Sequence, residues 1–134
     1  MSACALSLAV GVCAAIVGSP TVVDGDTLRF GSQTVRIFGI DAEERNEPNG
    51  PWATANLRKI VASSYTIRCE PTGDQTHGRT VAICYTASGN DVGMLLVAGG
   101  VALDCARYSG GRYRQYEPAN IRTQLTQKPY CRSK

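Results

Sequence analysis

The stretch from Pro20 to Ile40 constrains this chain more than any other. Two runs rich in Val, Ile, Thr and Phe, residues 20–30 and 33–40, are separated by the turn-forming FGSQT. Such runs, bounded by Gly, Asp or Pro, predict a β-hairpin. Residues 65–70 and 80–85 carry the same signature and predict a second one. The charge inside these runs is unusual. VVDGDTLRF sets Asp24 and Asp26 either side of Gly25. VRIFGIDAEER holds Arg36 among Val, Ile and Phe, then places Asp41, Glu43 and Glu44 within four positions. Charge so close to a core is costly unless it is paired or bound to something.

Helical signals fall between and after the hairpins. NGPWATANLRKIVASS, residues 49–64, predicts a helix with Pro51 in its first turn and an apolar face of Trp52, Ala55, Leu57, Ile60 and Val61. NDVGMLLVAGG predicts a second, entered at Asn90 or Asp91 and stopped by Gly99 and Gly100. PANIRTQLT, residues 118–126, predicts a third. Strands, a helix, more strands and more helices indicate an α+β chain with a small barrel as its closed form. At 134 residues, without repeats, it makes one domain.

The ends of the sequence differ from its middle. Residues 1–17 carry no charged side chain and end in small residues, as an apolar leader or secretory signal does, though the usual basic residue is missing. The domain then runs over residues 18–134. Cleavage near Ala14 or Ala15 would leave four cysteines, Cys69, Cys84, Cys105 and Cys131. An even count in a small exported domain points to two disulfides, with three connectivities open. The second hairpin favours Cys69 with Cys84, which leaves Cys105 with Cys131. Six of the eleven acids lie between Asp24 and Glu47, and half of the fourteen Lys and Arg follow Cys105. That distribution fits a cation site beside an anion-binding surface, or simply a solvated basic tail.

Asp26, Asp41 and Glu44 lie at the ends of different strands. Carboxylates so placed form half of the oxygen shell that a hard divalent cation requires. Asp24 is read as turn chemistry, since Asp-Gly favours turns. Arg36 shares a strand face with Phe38 and Ile40 and is expected to be partly buried, so it needs an anion. A nearby acid or a phosphate would serve, the latter through two parallel hydrogen bonds. Arg79 opens a strand after a flexible loop.

Taken together, VVDGDTLRF, VRIFGIDAEE, GPWATANLRKIV, THGRTVAICY and NDVGMLLVAGGVAL resemble the staphylococcal nuclease (thermonuclease) family in order, spacing and residue type. The resemblance runs from about Pro20 to Tyr108. It implies an OB-fold, a five-stranded barrel packed by three helices, and calcium-dependent hydrolysis of phosphodiesters in DNA or RNA that leaves 3′-phosphates. Carried over position by position, Asp26, Asp41 and the backbone carbonyl of Ala42 would bind the metal. Arg36, Glu44 and Arg79 would form the catalytic set, and Tyr108 would stack on a nucleotide. Ala42 stands where the family commonly has Thr. Glu43 replaces a usual Pro and is expected to point to solvent. His77 replaces a frequent Tyr and is read as a surface residue, and Tyr113 and Tyr116 as packing or loop residues.

These expectations describe a secreted or periplasmic monomer with no stable membrane association once the leader is removed. Two other readings compete. A non-catalytic nucleic-acid-binding module of the same fold would have lost catalytic side chains, yet all five remain. A disulfide-stapled OB domain for a protein or an oligosaccharide would leave Arg36 and Arg79 without a task.

Overall fold

The computed structural model describes residues 14–132; the first thirteen residues, most of the expected leader, lie outside them. Both hairpins form. The first joins β3 (Thr27–Phe30) to β4 (Gln33–Ile37), and the second joins β6 (Ile67–Thr76) to β7 (Arg79–Thr86). The 20–30 run is broken at Gly25–Asp26 into β2 (Thr21–Asp24) and β3, as the Asp-Gly turn chemistry of Asp24 anticipates. Ile16–Gly18 forms β1, paired with β6, so two residues assigned to the leader belong to the sheet.

The strand order is β1-β6-β7-β4-β3-β2. One pairing in it is parallel, β4 with β7, and it joins the two hairpins. The sheet therefore has six paired segments where five strands were expected. It curls enough that a Cβ built on Gly18 in β1 would touch the Phe30 ring of β3 at 3.5 Å. A two-residue pair, β5 (Ile40–Asp41) with β8 (Leu103–Asp104), extends from the end of β4.

Three helices cover this sheet: α1 (Gly50–Ser64), α2 (Val92–Ala98) and the single turn α3 (Ala106–Ser109). α1 buries Gly50, Ala53, Thr54 and Leu57, a stripe at i, i+3, i+4 and i+7. The expected face was rotated from this one, because Trp52 and Ala55 point to solvent. The helix lies so close to the β2–β3 turn that small residues are required at the contact. A Cβ on Gly25 would sit 2.6 Å from that of Ala53. Asp91 caps α2 by accepting from the Met94 N–H and also accepts from the Tyr113 hydroxyl. Tyr113 is thus a core residue, its hydroxyl kept protonated by burial and by the Asp91 carboxylate.

The core runs through Leu28, Val35 and Ile37 of the sheet to Leu57 and Leu96 of the helices. Both favoured disulfides form, Cys69–Cys84 across β6–β7 and Cys105–Cys131 to the C-terminal segment. That segment is not the helix expected over 118–126. It holds only 3₁₀ turns, Ile121–Thr123 and Pro129–Cys131. Its capacity for hydrogen bonding is directed to side chains of the body instead of to a helical ladder. The Glu43 and Asp41 carboxylates, which accept from the Thr126 and Lys128 N–H groups, are examples.

Candidate active site

The parallel pairing of β4 with β7 creates the site. It aligns Val35 with Thr80 and Arg36 with Val81, so Arg36 and the first residue of β7, Arg79, come to one end of the sheet. Within the first hairpin Thr27 pairs with Arg36, which sets Asp26 beside the guanidinium. The Ile37 N–H donates to the Asp26 carbonyl at 2.9 Å and locks that turn.

Arg36 is 13 % exposed, in accord with the expected partial burial, and its Nη2 lies 3.4 Å from Asp26 Oδ2. Its other contacts are the carbonyls of Ile37 at 2.7 Å and Ile40 at 2.9 Å. These fix the fork without neutralising it, so the Asp26 carboxylate is its one ion-pair partner. Arg79 Nε donates to the Thr76 carbonyl and its Nη1 to Thr27 Oγ1 at 3.2 Å, while Thr27 donates to Asp26 Oδ1 at 2.8 Å. A chain Arg79–Thr27–Asp26–Arg36 therefore holds both guanidinium groups and one carboxylate in register. No carboxylate pairs with Arg79 among the described residues.

Asp41 at the end of β5 is buried. Desolvation raises its carboxyl pKa above the ordinary value, partly offset by the Lys128 N–H, which donates to Oδ2 at 2.8 Å. Glu44 follows in a loop that folds over the start of α1. Gly50 makes this possible, since a Cβ there would lie 1.6 Å from the Glu44 carbonyl. The Glu44 N–H donates to Glu47, whose carboxylate is held by Lys128 Nζ at 2.6 and 2.7 Å. That ion pair lowers the Glu47 pKa and raises that of Lys128.

Asp26, Asp41, Ala42, Glu44, Arg36 and Arg79 line one small cavity of about 60 Å³, and Asp24, Lys128 and Tyr130 complete its lining. All five expected side chains and the expected carbonyl residue thus converge. Asp24 also reaches this cavity, with one oxygen accepting from the Arg45 N–H at 3.1 Å. Beside this cavity lies a groove of about 520 Å³ that shares Arg36, Arg79 and Tyr130 with it and extends to Tyr108. His77 is exposed in the β6–β7 turn, as read.

Glu43 departs from its expected place. It is 5 % exposed and accepts from the Asn49 N–H and amide and from the Thr126 N–H. The buried Glu43 carboxylate is satisfied by these donors. Glu43 is therefore a bracket between the Glu44 loop and the C-terminal segment. Lys128 entered the sequence reading only as part of the basic tail, and Tyr130 not at all. The only available signal was their place beside Cys131.

A small curled sheet that collects acids and two guanidinium groups at one end defines an OB-type domain with a phosphate-sized, charged site. A family model described as staphylococcal nuclease homologue matches residues 34–128, and the chain belongs to that family. It is also similar to a succinoglycan biosynthesis protein, ExoI, of Rhizobium meliloti strain 1021. The two are 29 % identical over 113 residues, covering 77 % of this chain and 59 % of the relative. A protein of Escherichia coli O157:H7 named as an uncharacterized endonuclease is 28 % identical over 92 residues, covering 66 % of this chain and 60 % of that one. The chain thus spans about three-fifths of the length of these curated relatives.

Proposed function

We propose that this protein is an exported, calcium-dependent nuclease that hydrolyses phosphodiester bonds in DNA, RNA or both and leaves 3′-phosphates. The observation that carries this reading is the convergence of Asp26, Asp41, Glu44, Arg36 and Arg79 on one cavity. Membership of the nuclease family and a relative named as an endonuclease support it.

The donor set suits a hard cation. Two carboxylates and a backbone carbonyl offer oxygen alone, and such ions complete their shells with water and substrate oxygens. Among the described residues no three His, Cys, Asp or Glu side chains gather to hold an ion unaided, so on this reading water and substrate oxygens would complete the shell. Asp41 is buried with a backbone N–H as its hydrogen-bond partner, a carboxylate that a cation would relieve. Asp26, Asp41 and the Ala42 carbonyl would hold the ion, which when bound supplies a Lewis acid toward a phosphate oxygen.

The chain's own groups do the rest. Glu44 is exposed at the cavity wall, where it orients the attacking water and accepts its proton. The water oxygen bonds to phosphorus, the bond from phosphorus to the 5′ oxygen breaks, and that oxygen leaves with a proton from solvent. Negative charge accumulates on the phosphoryl oxygens in between. Arg36 and Arg79 meet that charge with N–H groups already positioned by Ile37, Ile40, Thr76 and Thr27. Donors fixed before the reaction stabilise the transition state more than the ground state. The two disulfides fit an oxidising compartment. No helix of the described residues is long and apolar enough to cross a membrane.

The test is release of acid-soluble nucleotides from DNA and from RNA, with calcium and with chelator, followed by end-group analysis. Calcium-dependent release with 3′-phosphate ends is expected. Failure to cleave either polymer in calcium would end the reading.

A further inference from the structure

Tyr130 lies two residues beyond the segment that the family model matches, so membership assigns it nothing. It is nonetheless built into the site. It lines both the acidic cavity and the adjoining groove, and so stands where the two meet. Its ring centroid is 6.5 Å from that of Tyr108, with the planes tilted by 56°. That spacing is within the range of an aromatic pair in contact. Together the rings form a ledge on the wall of the groove that Arg36 and Arg79 also line. They remain 47 % and 56 % exposed, which is unusual for packed aromatics and leaves faces open to a ligand.

The ledge is held covalently. Tyr130 precedes Cys131, and Cys105 caps the helix that carries Tyr108, so the buried Cys105–Cys131 bond joins the two tyrosines' segments. Arg107 lies 5.8 Å above the Tyr108 ring centroid and adds positive charge beside it. A groove lined by both phosphate-matching forks and a rigid aromatic surface has the two chemistries of a nucleotide. The phosphate is anionic and the base offers a flat π face.

We propose that Tyr130 is a substrate-positioning residue, the second ring of a base-stacking ledge that receives the nucleotide next to the phosphate under attack. This rests on the nuclease reading and extends it to a residue outside the matched family segment. A base inside a duplex has both faces covered by its neighbours, so the ledge serves an unpaired base.

Two measurements test it, with folding checked by circular dichroism. The first is anisotropy of a 5′-fluorescein-labelled single-stranded 12-mer in chelator, where no turnover occurs. Tyr130→Ala is expected to bind about tenfold more weakly, since one base–aromatic stack is worth that order, and Tyr130→Phe to match wild type. The second is cleavage in calcium. Tyr130→Ala is expected to raise KM for the single strand about tenfold with kcat nearly unchanged, and to leave duplex cleavage within about twofold. Wild-type binding by Tyr130→Ala would overturn the proposal, as would equal losses on single strand and duplex. Ring-dependent binding without cleavage of any polymer would uphold the ledge and end the nuclease reading. Cleavage indifferent to Tyr130→Ala would do the reverse.

Discussion

The β6–β7 hairpin and the C-terminal strap, residues 124–132, are each closed by one disulfide, and the bonds do different things. Cys69 and Cys84 are register partners in a ladder that runs from Ile67–Thr86 to Thr76–Arg79. Removing that bond leaves the strands paired. The strap has no ladder. It is held by Cys105–Cys131 and by single contacts to Glu43, Asp41 and Glu47. Loop-closure entropy assigns the two bonds similar values, about 3 and about 3.5 kcal/mol. What separates them is what each one positions: the first reinforces a fold that already stands, and the second fixes groups at the proposed reaction site.

The largest expected effect asks whether the hairpin acts in catalysis through Arg79 and not through its disulfide. Arg79→Ala should lower kcat by about 10²–10³, as loss of one transition-state donor does, with an unchanged melting temperature. Replacing Cys69 and Cys84 by Ala should give the opposite pattern, with lost stability up to about 3 kcal/mol and nearly full kcat. Steady-state kinetics beside thermal melts read both. The comparison breaks if the disulfide variant loses activity as Arg79→Ala does.

Replacing Cys105 and Cys131 by Ser should lose comparable stability and, unlike the hairpin pair, raise KM. An unaltered KM would show that the strap stays in place without its tether.

Metal should act on the strap side through Asp41. Calcium at one hundred times its Kd should stabilise the protein by about 2.7 kcal/mol, an effect absent in Asp41→Asn and reversed by chelator. The carboxyl of Asp41 has a raised pKa because burial disfavours its charge. The folded state therefore holds that proton more tightly than the unfolded one. In chelator, wild type should lose stability relative to Asp41→Asn as pH rises above the ordinary carboxylate value of 3.8. Parallel stability curves for the two proteins would contradict the assignment.

The smallest effect belongs to the Lys128–Glu47 pair. Lys128→Met should cost about 0.2–1 kcal/mol near neutral pH, the range of exposed ion pairs. The Glu47 pKa is lowered, so its contribution is present above 4.5 and lost as pH falls through the folded value. That of Lys128 is raised, so its share is present below 10.5 and lost as pH climbs through the folded value. Urea melts should show a smaller difference between variant and wild type at pH 3 than at pH 7.

The same contrast explains what the sequence made legible. Asp26, Arg36, Asp41, Glu44 and Arg79 sit in or beside strands whose register is set by alternating apolar residues, so their neighbourhood followed from local pattern. Glu43, Lys128 and Tyr130 do not. The Thr126 N–H reaches Glu43 across 83 positions, and the Lys128 N–H reaches Asp41 across 87. No periodicity in the strap announces these contacts, and Ile121 before it with Leu125 within it mimic a helical face that 3₁₀ turns satisfy instead. On α1, Trp52 attracted the apolar face, but the close approach of Gly25 to Ala53 selected the small-residue stripe.

The parallel alignment of β4 with β7 has a consequence for biosynthesis. A ribosome-bound chain that ends before β7 holds Asp26, Arg36, Asp41 and Glu44 but lacks the strand that brings Arg79 to them. The strap, emerging later still, then closes over Asp41. On the proposed reading, competence to cut is thus withheld until both β7 and the strap have emerged.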